Sequence, residues 1–274
     1  MTSQMTSQSF EPPIPDSPPP GTLAPATPSP WTVRNLIVLI VSGAMALVAA
    51  NLLTLTGYAT LQSLMGWRTR PTDLRDNALF LLALQTVFHA LVLGICYLFI
   101  AVNHGMPFWA TLKWQRPSLR LLWRYLPAGV LLALIVQLAP PLLPDRDDFP
   151  LTRLFTSPLA GYAIAAFAIL IAPLMEELIF RGILFLFFEH LVGPRFAILG
   201  TALLFASLHV PEYWGAWNHV LLILFVGLVF SSARGLTGSL TPSVVLHVAY
   251  NAALMAGLYF QTQGFRTIGI LGHS

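Results

Sequence analysis

The sequence predicts an all-α, polytopic membrane protein with seven to eight transmembrane helices. Three observations carry that prediction. Of 274 residues, 56% are hydrophobic and only 9% charged, with a mean hydropathy of +0.72; a soluble domain of this length needs roughly a quarter of its residues charged to cover its surface. Several apolar runs reach the ~20 residues that cross a hydrocarbon core of about 30 Å. The tryptophans Trp31, Trp67, Trp109, Trp114, Trp123, Trp214 and Trp217 fall at or near the ends of those runs, where amphipathic rings anchor at the membrane–water interface. The formal charge of +3 is spread over loops with no basic run, which argues against nucleic acid as a partner and leaves the lipid bilayer as the expected surroundings.

Taken in order, residues 1–30 are rich in Pro, Ser and Thr ("EPPIPDSPPPGTLAPATPSP"). They bury too little apolar surface to offset their ordering entropy and are expected to form a disordered tail. Residues 31–150 hold the N-terminal transmembrane helices, expected near Val33–Leu64, Asn77–Val102 and Leu121–Leu143. The core, residues 157–262, holds four more, near Pro158–Leu191, Phe196–His209, Trp217–Ala233 and Pro242–Phe260. The first of these four is too long for one crossing: its thirty-odd residues would span about 50 Å. It must tilt strongly, protrude, or break at Pro173, which disrupts backbone pairing to the preceding turn; a break there would make an eighth helical piece. Cys96 is the only cysteine, so no intrachain disulfide forms. Arg34, Lys113, Arg116, Arg120, Arg124, Arg195 and Arg234 fall on the side of the tail; Arg68, Arg70, Arg75, Arg146, Arg153 and Arg266 fall opposite. The positive-inside rule then places the tail in the cytoplasm.

Against this apolar background a few polar side chains stand out. "EELIFR" puts Glu176, Glu177 and Arg181 within a membrane segment, where a charge costs about 3 kcal/mol on insertion scales and so faces the bundle interior and pairs. Glu177 and Arg181 are four apart with the acid first, the favourable order for a helix pair. Glu176 lies about 100° round the helix and can point elsewhere. A lone Glu–Arg pair would serve equally as a structural clamp between helices, but a clamp needs one partner for Arg181, not two. "FASLH" sets Phe205 and His209 on one helix face, and "HVAYN" does the same for His247 and Asn251. The last helix has a start signal in "GSLTPS", with Thr241 as N-cap and Pro242 in the first turn. Gln85 and His89, four apart on the second segment, could line a cavity, but hydrogen bonds to a neighbouring helix are the preferred reading. Glu212 is assigned to interfacial solvation.

These groups suffice for hydrolysis. A poorly solvated Glu176, helped by a histidine, can take a proton from water, while another imidazole and an amide N–H bind the developing oxyanion. Zinc is an equally legal arrangement, with His209, His247 and Glu176 as ligands and the second Glu as base; the residue types leave both open. No H-E-x-x-H motif and no G-x-S-x-G turn occurs.

The order E-E-x-x-x-R, F-x-x-x-H, H-x-x-x-N resembles the CPBP intramembrane proteases, which include the type II CAAX prenyl endopeptidases and the bacteriocin-processing and immunity proteins. The resemblance covers roughly residues 157–258. It implies an intramembrane endopeptidase in which Glu176 activates water with His209, His247 and Asn251 form the oxyanion site, and Glu177, Arg181 and Phe205 support them. The implied partner is a protein or peptide substrate that in this family can be prenylated. No cofactor is favoured, since the His247/Asn251 pair suits oxyanion binding better than ligation; zinc is the alternative. Two rival functions are a non-catalytic immunity or scaffold protein of the same fold and a proton-coupled transporter.

Overall fold

A computed structural model of the chain describes residues 29–66, 71–139 and 154–266. The expected disorder of the tail falls almost wholly outside these residues, as do Trp67, Arg68, Arg70, Arg146 and Arg153. The described residues form helices and connecting turns only.

Helix α1, Val33–Met65, starts where the Thr32 hydroxyl accepts from the Asn35 amide at 3.3 Å and stops at Gly66. There φ is +69°, a left-handed conformation that glycine adopts without a Cβ penalty. Only Ala46 and Ala50 of α1 are buried; Ile40, Met45, Val48 and Leu52 turn outward, as expected of a helix solvated by acyl chains. Helix α2, Ala78–Tyr97, is capped by the Asn77 side chain, which accepts from Phe80 N at 3.0 Å, and runs on as a π-helical turn, Leu98–Asn103. Short α3, Phe108–Thr111, leads to α4, Leu119–Leu138, whose N-cap is Ser118.

Helix α5, Pro158–Leu170, has Ser157 as N-cap and Pro158 in its first turn. The break is present. The chain turns at Ile171, and α6, Ala172–Glu177, begins with Pro173 in its own first turn; proline has no N–H to give to the preceding turn. A π-helical turn, Leu178–Leu184, and α7, Phe185–Val192, complete this segment. There follow α8, Pro194–His209, α9, Trp217–Thr237, and α10, Thr241–Gln261. Six helical stretches are long and apolar enough to cross a membrane. The seventh predicted crossing, α8, has 16 residues and reaches about 24 Å, short of a full span.

Thr241 is not the cap of α10 but its first residue. Its hydroxyl accepts from the Gln115 amide at 2.9 Å and donates to the Gln115 carbonyl, tying the start of α10 to the strap before α4. Helix α10 is central and packs on α4, α5, α6 and α9. Gly129 makes the α4–α10 contact possible: a Cβ there would lie 2.4 Å from the Leu246 carbonyl oxygen and 2.7 Å from Ala249 Cβ, and small residues are what let membrane helices approach this closely. Helix α8 packs on α7 and α9, α1 on α2, and α2 on α5, which brings the N-terminal pair against the broken segment.

Candidate active site

Glu177 and Arg181 are both fully buried. Arg181 uses every edge of its guanidinium. It donates from Nη1 to Glu177 Oε1 at 3.0 Å, from Nη2 to the Gly227 carbonyl at 3.0 Å, and from Nε to Ser231 Oγ at 3.2 Å. Its cationic face lies 4.6 Å from the Phe205 ring and 5.4 Å from that of Phe230. Ser231 shares a further hydrogen bond of 3.0 Å with Thr201. A buried charge is tolerable only when paired and hydrogen-bonded in this way. The π turn carries Arg181 and is itself braced: Arg234 Nε donates to the Arg181 carbonyl at 3.0 Å while its guanidinium packs 4.7 Å from the Phe185 ring. Such turns occur frequently at functional sites.

The network extends to α10. His247 Nδ1 lies 2.9 Å from Glu177 Oε1 and, since the carboxylate accepts, Nδ1 carries the proton. That fixes the ring and turns Nε2 towards Glu176, whose Oε2 is 3.8 Å away. The distance exceeds a direct hydrogen bond but lies within ion-pair range. Phe205 is the packing hub. Its ring centroid lies 4.8 Å from that of His209 and 6.2 Å from that of His247, so one aromatic wedge sets the spacing of both imidazoles and of Arg181.

Glu176 faces the other way. Its side chain is 27% exposed and lines a cavity of about 430 Å³ together with His209 and Glu212. His209 Nδ1 is 2.8 Å from the Phe205 carbonyl; a carbonyl only accepts, so the Nδ1 proton is spoken for and the lone pair of neutral His209 sits on Nε2. A carboxylate and an imidazole nitrogen able to accept protons thus share one cavity. Glu212, just past the end of α8, is a third group there. Burial pushes its carboxyl above the ordinary carboxylate range; His209 opposes that rise and Glu176 adds to it.

Glu176, Glu177, Arg181, Phe205, His209 and His247 therefore come together from three segments of chain. Asn251 sits one turn beyond His247 and donates from Nδ2 to the Ala168 carbonyl at 2.7 Å. Ala168 is in the last turn of α5, where carbonyls lose their intrahelical donors, so Asn251 caps the break from across the bundle; its second amide hydrogen is uncommitted by that bond. Gln85 and His89 line the cavity, the less preferred of the two readings open from the sequence. Glu212, assigned from the sequence to interfacial solvation, lines it too. Ser231 and Thr201 went unread, because small polar residues carry no pattern; Arg234, counted from the sequence among the flanking loop charges, is instead buried inside α9. Among the described residues no group of three or more His, Cys, Asp or Glu side chains is arranged to hold a metal ion.

Fold and site together define a class: an integral, multi-pass membrane protein with a buried Glu–Arg–His network beside an intramembrane cavity. The family model for type II CAAX prenyl endopeptidases, described as Rce1-like, matches residues 158–253. That stretch contains all seven motif residues, and the resemblance to the CPBP intramembrane proteases holds over it. No curated protein and no solved structure matches the chain.

Proposed function

We propose that the chain is an intramembrane endopeptidase that hydrolyses a peptide bond in a membrane-associated protein or small peptide, without a metal. Glu176, assisted by His209 Nε2, takes a proton from the attacking water; the water oxygen bonds to the scissile carbonyl carbon, and the proton passes to the leaving amine as the C–N bond breaks. His247 in its doubly protonated form, with Nδ1–H on Glu177 and Nε2–H free to donate, and the uncommitted N–H of Asn251 stabilise the oxyanion. With the tail in the cytoplasm, substrates would arrive from that side.

The observation that carries this reading is the opening of Glu176 and His209 onto one largely apolar cavity. A structural clamp would need Glu177 and Arg181 alone. The family match adds that similar proteins are prenyl endopeptidases, which makes prenylated C-terminal tetrapeptides the first substrates to try. The test compares membrane proteomes of strains carrying the wild type and Glu176→Gln. A peptide terminus that disappears in the variant is expected; identical termini, with the wild type also inert on prenylated peptides in liposomes, would return the protein to the non-catalytic reading. Loss of activity to a chelator, restored by zinc, would overturn the metal-free mechanism.

A further inference from the structure

The wall of the cavity opposite Glu176 comes from α1 and α2, outside the matched stretch. It is built of apolar side chains at helical spacing, among them Leu39, Phe88, Val92 and Ile95, and Gln85 and His89 are its polar interruptions. The His89 ring is locked in place, stacked on Phe167 of α5 with centroids 5.8 Å apart and planes 9° from parallel, and the residue is 6% exposed. Nδ1 is buried and has no hydrogen-bond partner. A phenylalanine would stack as well without that unmet nitrogen, and buried polar groups lacking partners call for a reason.

The tautomer supplies one. A neutral imidazole carries a single N–H. With no acceptor near Nδ1, the proton belongs on Nε2, the nitrogen through which a cavity-lining ring can still find a partner. The ligand this donor suits at His89 is a neutral acceptor, because the Glu176 carboxyl group lines the same cavity and disfavours an anion beside it. A main-chain carbonyl is such an acceptor, and Gln85, one turn away, can both donate to and accept from the same extended chain.

We propose that His89, with Gln85, is a substrate-positioning site that hydrogen-bonds the main chain of a peptide lying across the cavity towards Glu176 and His209. The inference rests on the proposed hydrolysis only in taking a peptide as the occupant. The site acts equally on ground and transition states, so its loss weakens binding and spares turnover.

The test uses the full chain in liposomes and an internally quenched peptide ending in a prenylated cysteine tetrapeptide. His89→Phe keeps the stack on Phe167 and removes the donor; it is expected to raise KM about tenfold, the worth of one neutral hydrogen bond, with kcat within about twofold. His89→Gln restores a donor and most of the affinity. Should His89→Phe fail to fold, Gln85→Leu, which leaves the stack alone, is expected to raise KM a few-fold. An unchanged KM in His89→Phe, or equal damage from Phe and Gln, would overturn the proposal in favour of simple packing. A second arm measures binding of a fluorescent form of the peptide to Glu176→Gln protein with and without His89→Phe. If the wild type does not cleave the peptide, the hydrolase reading fails while this arm still decides: about tenfold weaker binding supports the positioning site, and unchanged or absent binding removes it.

Discussion

Glu176 and Glu177 are neighbours at the end of one short helix, yet they face regions of opposite character. On the Glu177 side, Arg181, His247, Ser231 and a layer of aromatic rings leave no solvent, and the carboxylate is fully buried. On the Glu176 side the same functional group opens on a cavity with His209 and Glu212. Identical chemistry one residue apart thus separates into a paired, fully buried position and a cavity-facing one. The separation needs only the roughly 100° step of a helix and a neighbouring cation that can serve just one of the two. The dry side is held because each of the three guanidinium nitrogens of Arg181 donates a hydrogen bond. On the cavity side, Glu176 and His209, both able to accept a proton in the right form, share one space.

Substitutions can break or sharpen this contrast. The largest expected effect is on the cavity side: Glu176→Gln should lower hydrolysis about a thousandfold and leave the melting temperature in liposomes nearly unchanged, and a variant that melts early instead would make Glu176 structural. On the dry side, Arg181→Ala strands Glu177 without its cation. It should cost about 3–5 kcal/mol of stability, read as loss of the folded fraction in denaturant titrations in mixed micelles. Ser231→Ala removes one hydrogen bond from Arg181 and should cost about 1–2 kcal/mol in the same titration; a neutral outcome would mean that Arg181 re-pairs.

The smallest effect is a pH dependence. Glu212 holds its proton to higher pH in the fold than in the unfolded chain, so the folded state binds the extra proton and stability falls as pH rises through that window. Glu212→Gln removes the fall, and its melting temperature should gain on the wild type as pH is raised from about 4 to about 8. A constant gap would place the carboxylate in water.

Much of this was legible in the sequence, for physical reasons. Apolar run length marked the helices, and Pro173 marked the break because proline lacks a donor. The charged and imidazole side chains stood out because so little else in the chain is polar. Phe205 was legible only through the family resemblance, since an aromatic residue in a membrane helix is otherwise unremarked; its contacts with Arg181, His209 and His247 give the physical reason. The far wall of the cavity was only half legible, since the spacing of Gln85 and His89 fits either a cavity wall or bonds to a neighbouring helix. Gln85 and His89 face a space that exists only once α1 and α2 pack against the broken segment, and no local periodicity encodes that. Glu212 lies in a turn just past His209, where sequence offers no direction for a side chain. The π turns were equally invisible, for they follow from packing and not from propensity.

The π turn at Leu178–Leu184 has a further consequence. A π bulge is an α-helix with one residue inserted, so the same residues wound as plain α-helix would rotate everything upstream by about 100° relative to α7. Leu178 would then take the angle that Glu177 now holds, and Glu177 that of Glu176. A single extra residue of backbone thereby selects which of two adjacent acids meets the cation and which meets the cavity.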